Sequence, residues 1–258
     1  METPSLKIIF LGTGTSQGVP VPGCNCTVCR STNPHDKRLR SSLLIRVNGK
    51  NILIDAGPDF RYQMLRNHIM HLDAILLTHG HRDHTAGLDD IRSYNYFQGK
   101  NVPIFCEKRV EETLRQEFFY AFKESTYEGV PRFNIQLISE QPFIIDELNV
   151  TPIRVMHSNL PILGFRFGSF AYITDAKYIE PKELAKLQNL DILVINALRK
   201  EKHVSHFNLE EALHVINQIK PKQAYLTHIS HLMGLHAEVS ALLPKHVALA
   251  YDQLTINV

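Results

Sequence analysis

The sequence predicts an α/β domain, on three observations. Short apolar strands alternate with amphipathic helical stretches along the 258 residues. Strand endings also repeat: Asn51 to Asp55 runs into Asp55-Ala56 and Asp73 to Thr78 into Thr78-His79, then Phe170 to Ile173 runs into Asp175-Ala176 and Gln223 to Thr227 into Thr227-His228. The same pairs recur in the same order, which predicts two related halves, each offering polar groups from the carboxyl ends of its strands. Finally, those ends are where histidine and aspartate gather.

Composition sets the limits. With 44% hydrophobic and 21% charged residues the chain can bury a sizeable core as one domain, 1–258. A formal charge of +2, with both signs interleaved, gives no electrostatic reason to expect a nucleic-acid or membrane surface. Met1 to Lys7 is polar and no apolar run has the length of a membrane span, so a cytoplasmic protein is expected.

Taken in order, Leu6 to Leu11 reads as a strand entering Gly12-Thr13-Gly14-Thr15-Ser16-Gln17-Gly18. That loop lacks the Lys-Ser/Thr ending of a nucleotide loop, so its glycines are read as allowing close backbone approach, with phosphate contact the lesser reading. A rigid turn follows, and within 19–30 Cys24, Cys26 and Cys29 form C-x-C-x2-C. In a reducing compartment three such thiols suggest metal rather than disulfide, and they nearly fill a tetrahedral zinc site. Asn48-Gly49 between Leu43–Val47 and Asn51–Asp55 predicts a hairpin. A helix through Tyr62 to Arg66 precedes the strand Asp73 to Thr78.

That strand delivers His79-Gly80-His81-Arg82-Asp83-His84, three imidazoles and a carboxylate in six positions. Clustered imidazoles gain little from water, whereas imidazole and carboxylate together bind borderline divalent ions such as Zn, Mn or Fe. Beyond it, Val110, Leu114, Phe118 and Phe122 predict an amphipathic helix over Glu107 to Lys123, its aromatics core or dimer contact. Glu124 to Arg132 is read as a lid or a connection. Pro152 and Pro161 are expected to bracket a turn holding His157, and a helix should begin near Asn208, run Leu209 to Ile219 and stop before Pro221. Cys106, alone, reads as an inert core thiol.

The motif His79 to His84, the later His157, Asp175 and His228 together resemble the metallo-β-lactamase superfamily over the full chain. The resemblance implies an αβ/βα sandwich, two mixed β-sheets flanked by helices, with the site at one edge. It implies two divalent ions, Mn or Zn and alternatively Fe: His79, His81 and His157 on one, Asp83, His84 and His228 on the other, and Asp175 between them. Asp55 would be a buried group steadying the motif loop. Histidine at 81 and aspartate at 175 favour hydrolysis and a bridged metal pair.

Within the superfamily the chain more closely resembles the phosphodiesterases that include ribonuclease Z and the cyclic-phosphate enzyme of the phosphonate (carbon-phosphorus lyase) pathway. That likeness adds His231 to Cys24, Cys26 and Cys29 as the fourth ligand of a structural zinc, a feature shared with the pyrroloquinoline-quinone branch. It makes Asp83 and His206 the catalytic groups, His206 as general acid with His203 its rival. Two divalent ions, two ligand aspartates and a bridging hydroxide leave about one positive charge by formal counting, suited to an anionic phosphodiester attacked by that hydroxide. The expected partner is a small, cyclic phosphodiester such as a ribosyl cyclic phosphate. The alternatives are transfer RNA 3′-end cleavage, and a non-hydrolytic role in cofactor biosynthesis. No long Gly- and Pro-rich arm for gripping RNA is evident, and the resemblance implies a homodimer. Arg199, Lys200 and Lys202 read as a solvated face.

Overall fold

The structure is a computed structural model and describes residues 5–123, 127 and 129–258. Two mixed sheets stack face to face with helices on both outer faces. The first half of the chain gives β1 (Lys7–Gly12), β2 (Ser42–Val47), β3 (Lys50–Ile54), β4 (Ala74–Leu76), β5 (Pro103–Cys106) and β6 (Asn134–Leu137), side by side in that order. The second half gives β7 (Phe143–Ile145), β8 (Leu148–His157), β9 (Leu160–Phe167), β10 (Phe170–Ile173), β11 (Tyr178–Ile179), β12 (Ile192–Asn196), β13 (Gln223–Thr227) and β14 (Val247–Leu249). Their order is β11-β8-β9-β10-β12-β13-β14, with β7 beside β8, and β15 (Thr255–Asn257) returns to the first sheet alongside β1.

In both sheets antiparallel pairs give way to parallel ones: β3-β4-β5 in one, β10-β12-β13 in the other. Parallel strands are covered on both faces, which is why they read as unbroken apolar runs. Ile45, Ile52, Ile54 and Leu76 meet Val150, Phe165, Phe170 and Val194 between the sheets. Leu44, Leu53 and Ile75 face outward under α-helices, as do Leu193, Ile195 and Leu226 on the other side.

The helices that matter for the site are α1 (Thr27–Arg30), α2 (Phe60–Arg66), α3 (Arg82–Thr85), α4 (Ile91–Gln98), α5 (Lys108–Glu117), α6 (Pro181–Leu184) and α7 (Leu209–Ile219). The α7 boundaries follow from its caps. Asn208 accepts from the Glu211 backbone N–H at 2.9 Å, Glu211 accepts from the Asn208 N–H at 3.0 Å, and Lys220 ends the helix in the left-handed conformation before Pro221. Asn48 and Gly49 both take positive φ in the hairpin turn, as a two-residue connection of right-twisted strands requires. The close-approach reading of the glycine loop also holds: a Cβ on Gly12 would lie 2.0 Å from the Arg40 carbonyl oxygen.

Two expectations are corrected. The helix over Glu107 to Lys123 stops at Glu117, because Phe118 leaves the helical region to bury its ring against Phe133, and Phe119–Phe122 forms a 3-10 turn instead. Pro152 lies inside β8 opposite Phe165, and Pro161 inside β9 opposite Met156, so only Ser158 and Asn159 make the turn. Proline removes a donor but keeps an extended φ, and the strand runs through it. Of the stretch read as a lid or a connection, Glu124, Ser125, Thr126 and Glu128 lie outside the described residues; at its end the Arg132 N–H donates to Asn95 Oδ1.

Candidate active site

Every residue of the expected metal set stands at, or just beyond, the carboxyl end of a strand, along one edge shared by both sheets. From the first sheet, β3 stops at Ile54 and Asp55 follows; β4 stops at Leu76, Thr78-His79 follows, and α3 carries Asp83 and His84. From the second, His157 closes β8, Asp175 follows β10 and His228 follows β13. The Leu163 N–H donates to the Thr78 carbonyl at 3.0 Å, tying the sheets together at this edge.

Asp55, fully buried, takes hydrogen bonds from the Thr78 N–H (2.9 Å), from Thr78 Oγ1 and from His84 Nδ1 (2.7 Å). Its carboxylate is thereby spent inside the scaffold, fixing the strand end and one ring. With Nδ1 committed to Asp55, His84 aims Nε2 at Asp83 Oδ2 (3.2 Å) and Asp175 Oδ1 (3.5 Å), and that buried nitrogen has no hydrogen-bond partner. A neutral imidazole lone pair facing two carboxylate oxygens is repulsive unless a cation sits among them. His157 is held the same way: Nδ1 donates to the carbonyls of Asp175 (2.8 Å) and Ser205 (2.9 Å), which leaves Nε2 as an acceptor.

Among the described residues two groups of donors converge here: Asp83, His84, Asp175 and His228 as one, and His157, Asp175 and His206 as the other, sharing Asp175. His79 and His81 adjoin rather than complete these sets. His79 Nε2 is 3.0 Å from His81 Nδ1 and 3.9 Å from Asp175 Oδ2, and the His81 and His157 rings lie 5.1 Å apart. His206 comes closer to Asp175 than a general acid set apart from the metals would, with Nε2 3.2 Å from Oδ2. Its rival His203 stands behind it, its Nδ1 3.3 Å from His206 Nδ1 and 3.1 Å from Ser205 Oγ.

The electrostatics bear on what fits. Burial disfavours a charge on His79, and with His84 beside it the imidazole is held well below its usual range. Burial works against His84 as well, but Asp175, Asp83 and Asp55 surround it and raise it well above that range. Asp175 is held well below the usual carboxylate range: burial would raise it, and His228 and His84 prevail. The carboxylates that favour positive charge at His84 would equally favour a divalent ion among them. Neutral imidazoles and ionised carboxylates are the ligands that Zn, Mn and Fe share, so the residues present fit a divalent metal.

The second cluster lies at the start of the chain. His231 Nδ1 is 3.4 Å from Cys24 Sγ and 3.3 Å from Cys26 Sγ, and Cys29 completes the group. Two backbone N–H groups point at sulfur, Cys29 to Cys26 Sγ and Val21 to Cys29 Sγ, both at 3.4 Å. Three thiols and one imidazole so gathered fit a closed tetrahedral zinc site. The backbone N–H of Cys29 and then His231 lower the Cys26 thiol to about 6, whereas burial raises Cys29 to about 11. Burial also pushes Cys106 up to about 12. In protein stripped of metal under native conditions, Cys26 is therefore a thiolate above about pH 6. Iodoacetamide at pH 7 should label Cys26 first, with Cys29 and Cys106 spared, and peptide mass spectrometry reads the order; labelling led by Cys106 would contradict it.

Sequence reasoning missed four supporting residues. The Asn196 side chain donates to the Ala176 carbonyl (2.9 Å) and accepts from the Ala176 N–H (2.7 Å), clamping the residue next to Asp175. Thr174 donates to Asp175 Oδ1, Ser205 contacts His206 Nδ1 at 3.0 Å, and Thr15 Oγ1 lies 3.2 Å from His228 Nε2. For Thr174 and Asn196 the available signal was positional, since each closes an apolar strand; Thr15 and Ser205 lie in loops and carried none. Arg199 spends its guanidinium on the carbonyls of Glu201 and Lys202, as a loop-stabilising residue does.

Residues 50–229 match the family described as the Beta-lactamase superfamily domain. A protein of Porphyromonas gingivalis named "Octanoyltransferase" is 43% identical over 252 residues, which is 96% of this chain and 51% of that protein. The chain spans about half the length of the curated relatives it matches. Among solved structures, a diphosphatase from the PhnP family is 38% identical, with a TM-score of 0.93 over 98% of this chain and 97% of that one. Zinc-bound PqqB from Methylobacterium extorquens, at 20% identity, has a TM-score of 0.79 over 98% and 100%. The short form of human tRNase Z, at 18% identity, has a TM-score of 0.73 over 97% and 98%. The last two likenesses concern the fold alone. No helix of the described residues is long and apolar enough to cross a membrane.

Proposed function

Because the chain belongs to the β-lactamase superfamily, we propose that it is a metal-dependent phosphoester hydrolase with a two-ion site, acting on a small anionic phosphodiester such as a ribosyl cyclic phosphate. One observation carries the reading: Asp83, His84, Asp175 and His228 converge, with His84 Nε2 buried and unpartnered, while His206 touches the shared Asp175. His79, His81 and His157 would hold one ion, Asp83, His84 and His228 the other, with Asp175 common to both. What bound ions would supply there is Lewis acidity toward phosphoryl oxygen and a water acidified toward neutrality.

The chain's own residues supply the remainder. Asp55 and Thr78 hold the rings of His84 and His79 in fixed tautomers. Ser205 gives His157 a carbonyl and His206 a hydroxyl, so one residue orients both rings. His206 is the proton donor to the leaving oxygen. Burial lowers its imidazole to about 4, so to carry a proton at pH 7 it needs the negative charge of a bound phosphate beside it. Cys24, Cys26, Cys29 and His231 would hold a structural zinc.

A second reading is favoured by the PhnP-family relative, which is described as a diphosphatase: the substrate would then be a diphosphate, split at its anhydride. The acyl-transfer name of the Porphyromonas relative is not carried over, since half of that protein lies beyond the match. The test is the protein loaded with Mn or Zn and given bis-aryl phosphates, ribose cyclic phosphates, nucleoside diphosphates and precursor transfer RNA in one panel. Turnover of cyclic phosphates supports the first reading and of diphosphates the second. RNA cleavage at matching rates would replace both, and inertness toward every phosphoester would remove hydrolysis from the proposal.

A further inference from the structure

We propose that Thr15, in the glycine loop, is the positioning residue that fixes the tautomer and orientation of His228, and with them the affinity of the second ion position. The proposal rests on the two-ion reading above. His228 presents its two ring nitrogens to different surroundings: Nδ1 lies 3.0 Å from Asp175 Oδ1, inside the donor cluster, and Nε2 lies 3.2 Å from Thr15 Oγ1, outside it. Both side chains are buried, so no solvent replaces the Thr15 contact. A ring that offers a lone pair on the cluster side must carry its hydrogen on the opposite nitrogen, and there the Thr15 hydroxyl accepts it.

Thr15 is suited to this by its own restraints. Its N–H donates to the Ile229 carbonyl at 3.1 Å and the Ile229 N–H donates to the Thr13 carbonyl at 2.9 Å, so the loop pairs with the residue directly after His228. The Gly18 N–H closes a turn onto the Thr15 carbonyl at 2.8 Å, and Gly18 takes the positive φ this turn needs. A β-branched side chain on so fixed a backbone has few rotamers, which makes its hydroxyl a stationary acceptor. His228 cannot find the same bond elsewhere: its own backbone is held in the left-handed region by neighbours on both sides, with Thr227 accepting from Ala197 and Ser230 donating to Leu198. Remove the acceptor, and the hydrogen moves to the cluster-side nitrogen, where it blocks the lone pair.

The experiment compares wild type, Thr15→Val and Thr15→Ser, each carrying its structural zinc, by titration with Mn followed calorimetrically and with Co followed by its visible spectrum. Wild type binding two ions beyond the structural zinc establishes the reading on which the proposal rests; wild type binding none defeats that reading, and the proposal with it. Given two ions in wild type, Thr15→Val should weaken the second by about 10–100-fold, leave the first within threefold, and shift the Co spectrum, while Thr15→Ser restores both. Two ions bound by Thr15→Val at wild-type affinity overturn the proposal. So does Thr15→Ser weakened as much as Thr15→Val, because the loss would then come from packing rather than from the hydroxyl.

Discussion

Replacing Asp175 by alanine lowers phosphoester turnover by about 10³-fold or more, with the fold retained; this is the expected result, and it should exceed that of any other single substitution at the site. The reason is that Asp175 is the carboxylate common to both donor groups. Its two oxygens face His228 at 3.0 Å, His206 at 3.2 Å, His84 at 3.5 Å and His79 at 3.9 Å. Several kcal/mol of transition-state stabilisation depend on ions held in register, and each 1.4 kcal/mol is tenfold in rate. Removing the carboxylate also leaves clustered imidazoles with less counter-charge, so the variant's ion content should fall together with its rate. Steady-state kinetics with a bis-aryl phosphate and metal analysis on one sample check both. Full activity in Asp175→Ala, or in His79→Ala, would end the two-ion reading.

The second large effect belongs to the thiol cluster. Cys29→Ser should lose one equivalent of zinc and melt about 8–16 °C lower: a site filled a thousandfold above its dissociation constant contributes about 4 kcal/mol, and a chain of this size moves roughly 2–4 °C per kcal/mol. Cys29 is chosen because it is buried and takes the Val21 N–H, so serine cannot restore the ligand from another direction. Calorimetric melting and zinc analysis decide it; an unchanged melt at full zinc content would show the cluster to be ornamental. The loss should also reach the metal pair, because His231 lies three residues beyond His228, whose position the glycine loop holds through Thr15 and Ile229.

How much of this was legible beforehand varies with the kind of interaction. Strand ends carrying Asp55, His79, Asp175 and His228 were readable because parallel strands are apolar throughout and stop abruptly at polar residues. The α7 limits were readable from Asn208 and Pro221, since caps are local chemistry. The α5 end was not: its aromatic spacing continues through Phe122, and only the tertiary site beside Phe133 draws Phe118 out of the helix. The two prolines misled for a related reason, because β8 and β9 need extended chain more than they need every donor. At the site, residue types revealed the ligand candidates, but the partners that orient them, Thr15, Asn196 and Ser205, act through contacts 20 or more residues distant in the chain. Such residues carry no spacing rule, and their polarity alone resembles that of any loop.

Asp55, Asp175 and His228 share one further property: each sits in the left-handed backbone region, with φ of 62°, 59° and 54°. A side chain there costs on the order of 1 kcal/mol relative to glycine, and the fold sustains three such residues along a single edge. Glycine at Asp55 would release that backbone cost but leave the Thr78 N–H, Thr78 Oγ1 and His84 Nδ1 without their acceptor, a larger loss in a buried place. The left-handed turns along this edge are therefore maintained by the side chains they position, and glycine at any of the three should lower the melting temperature as well as damage the site.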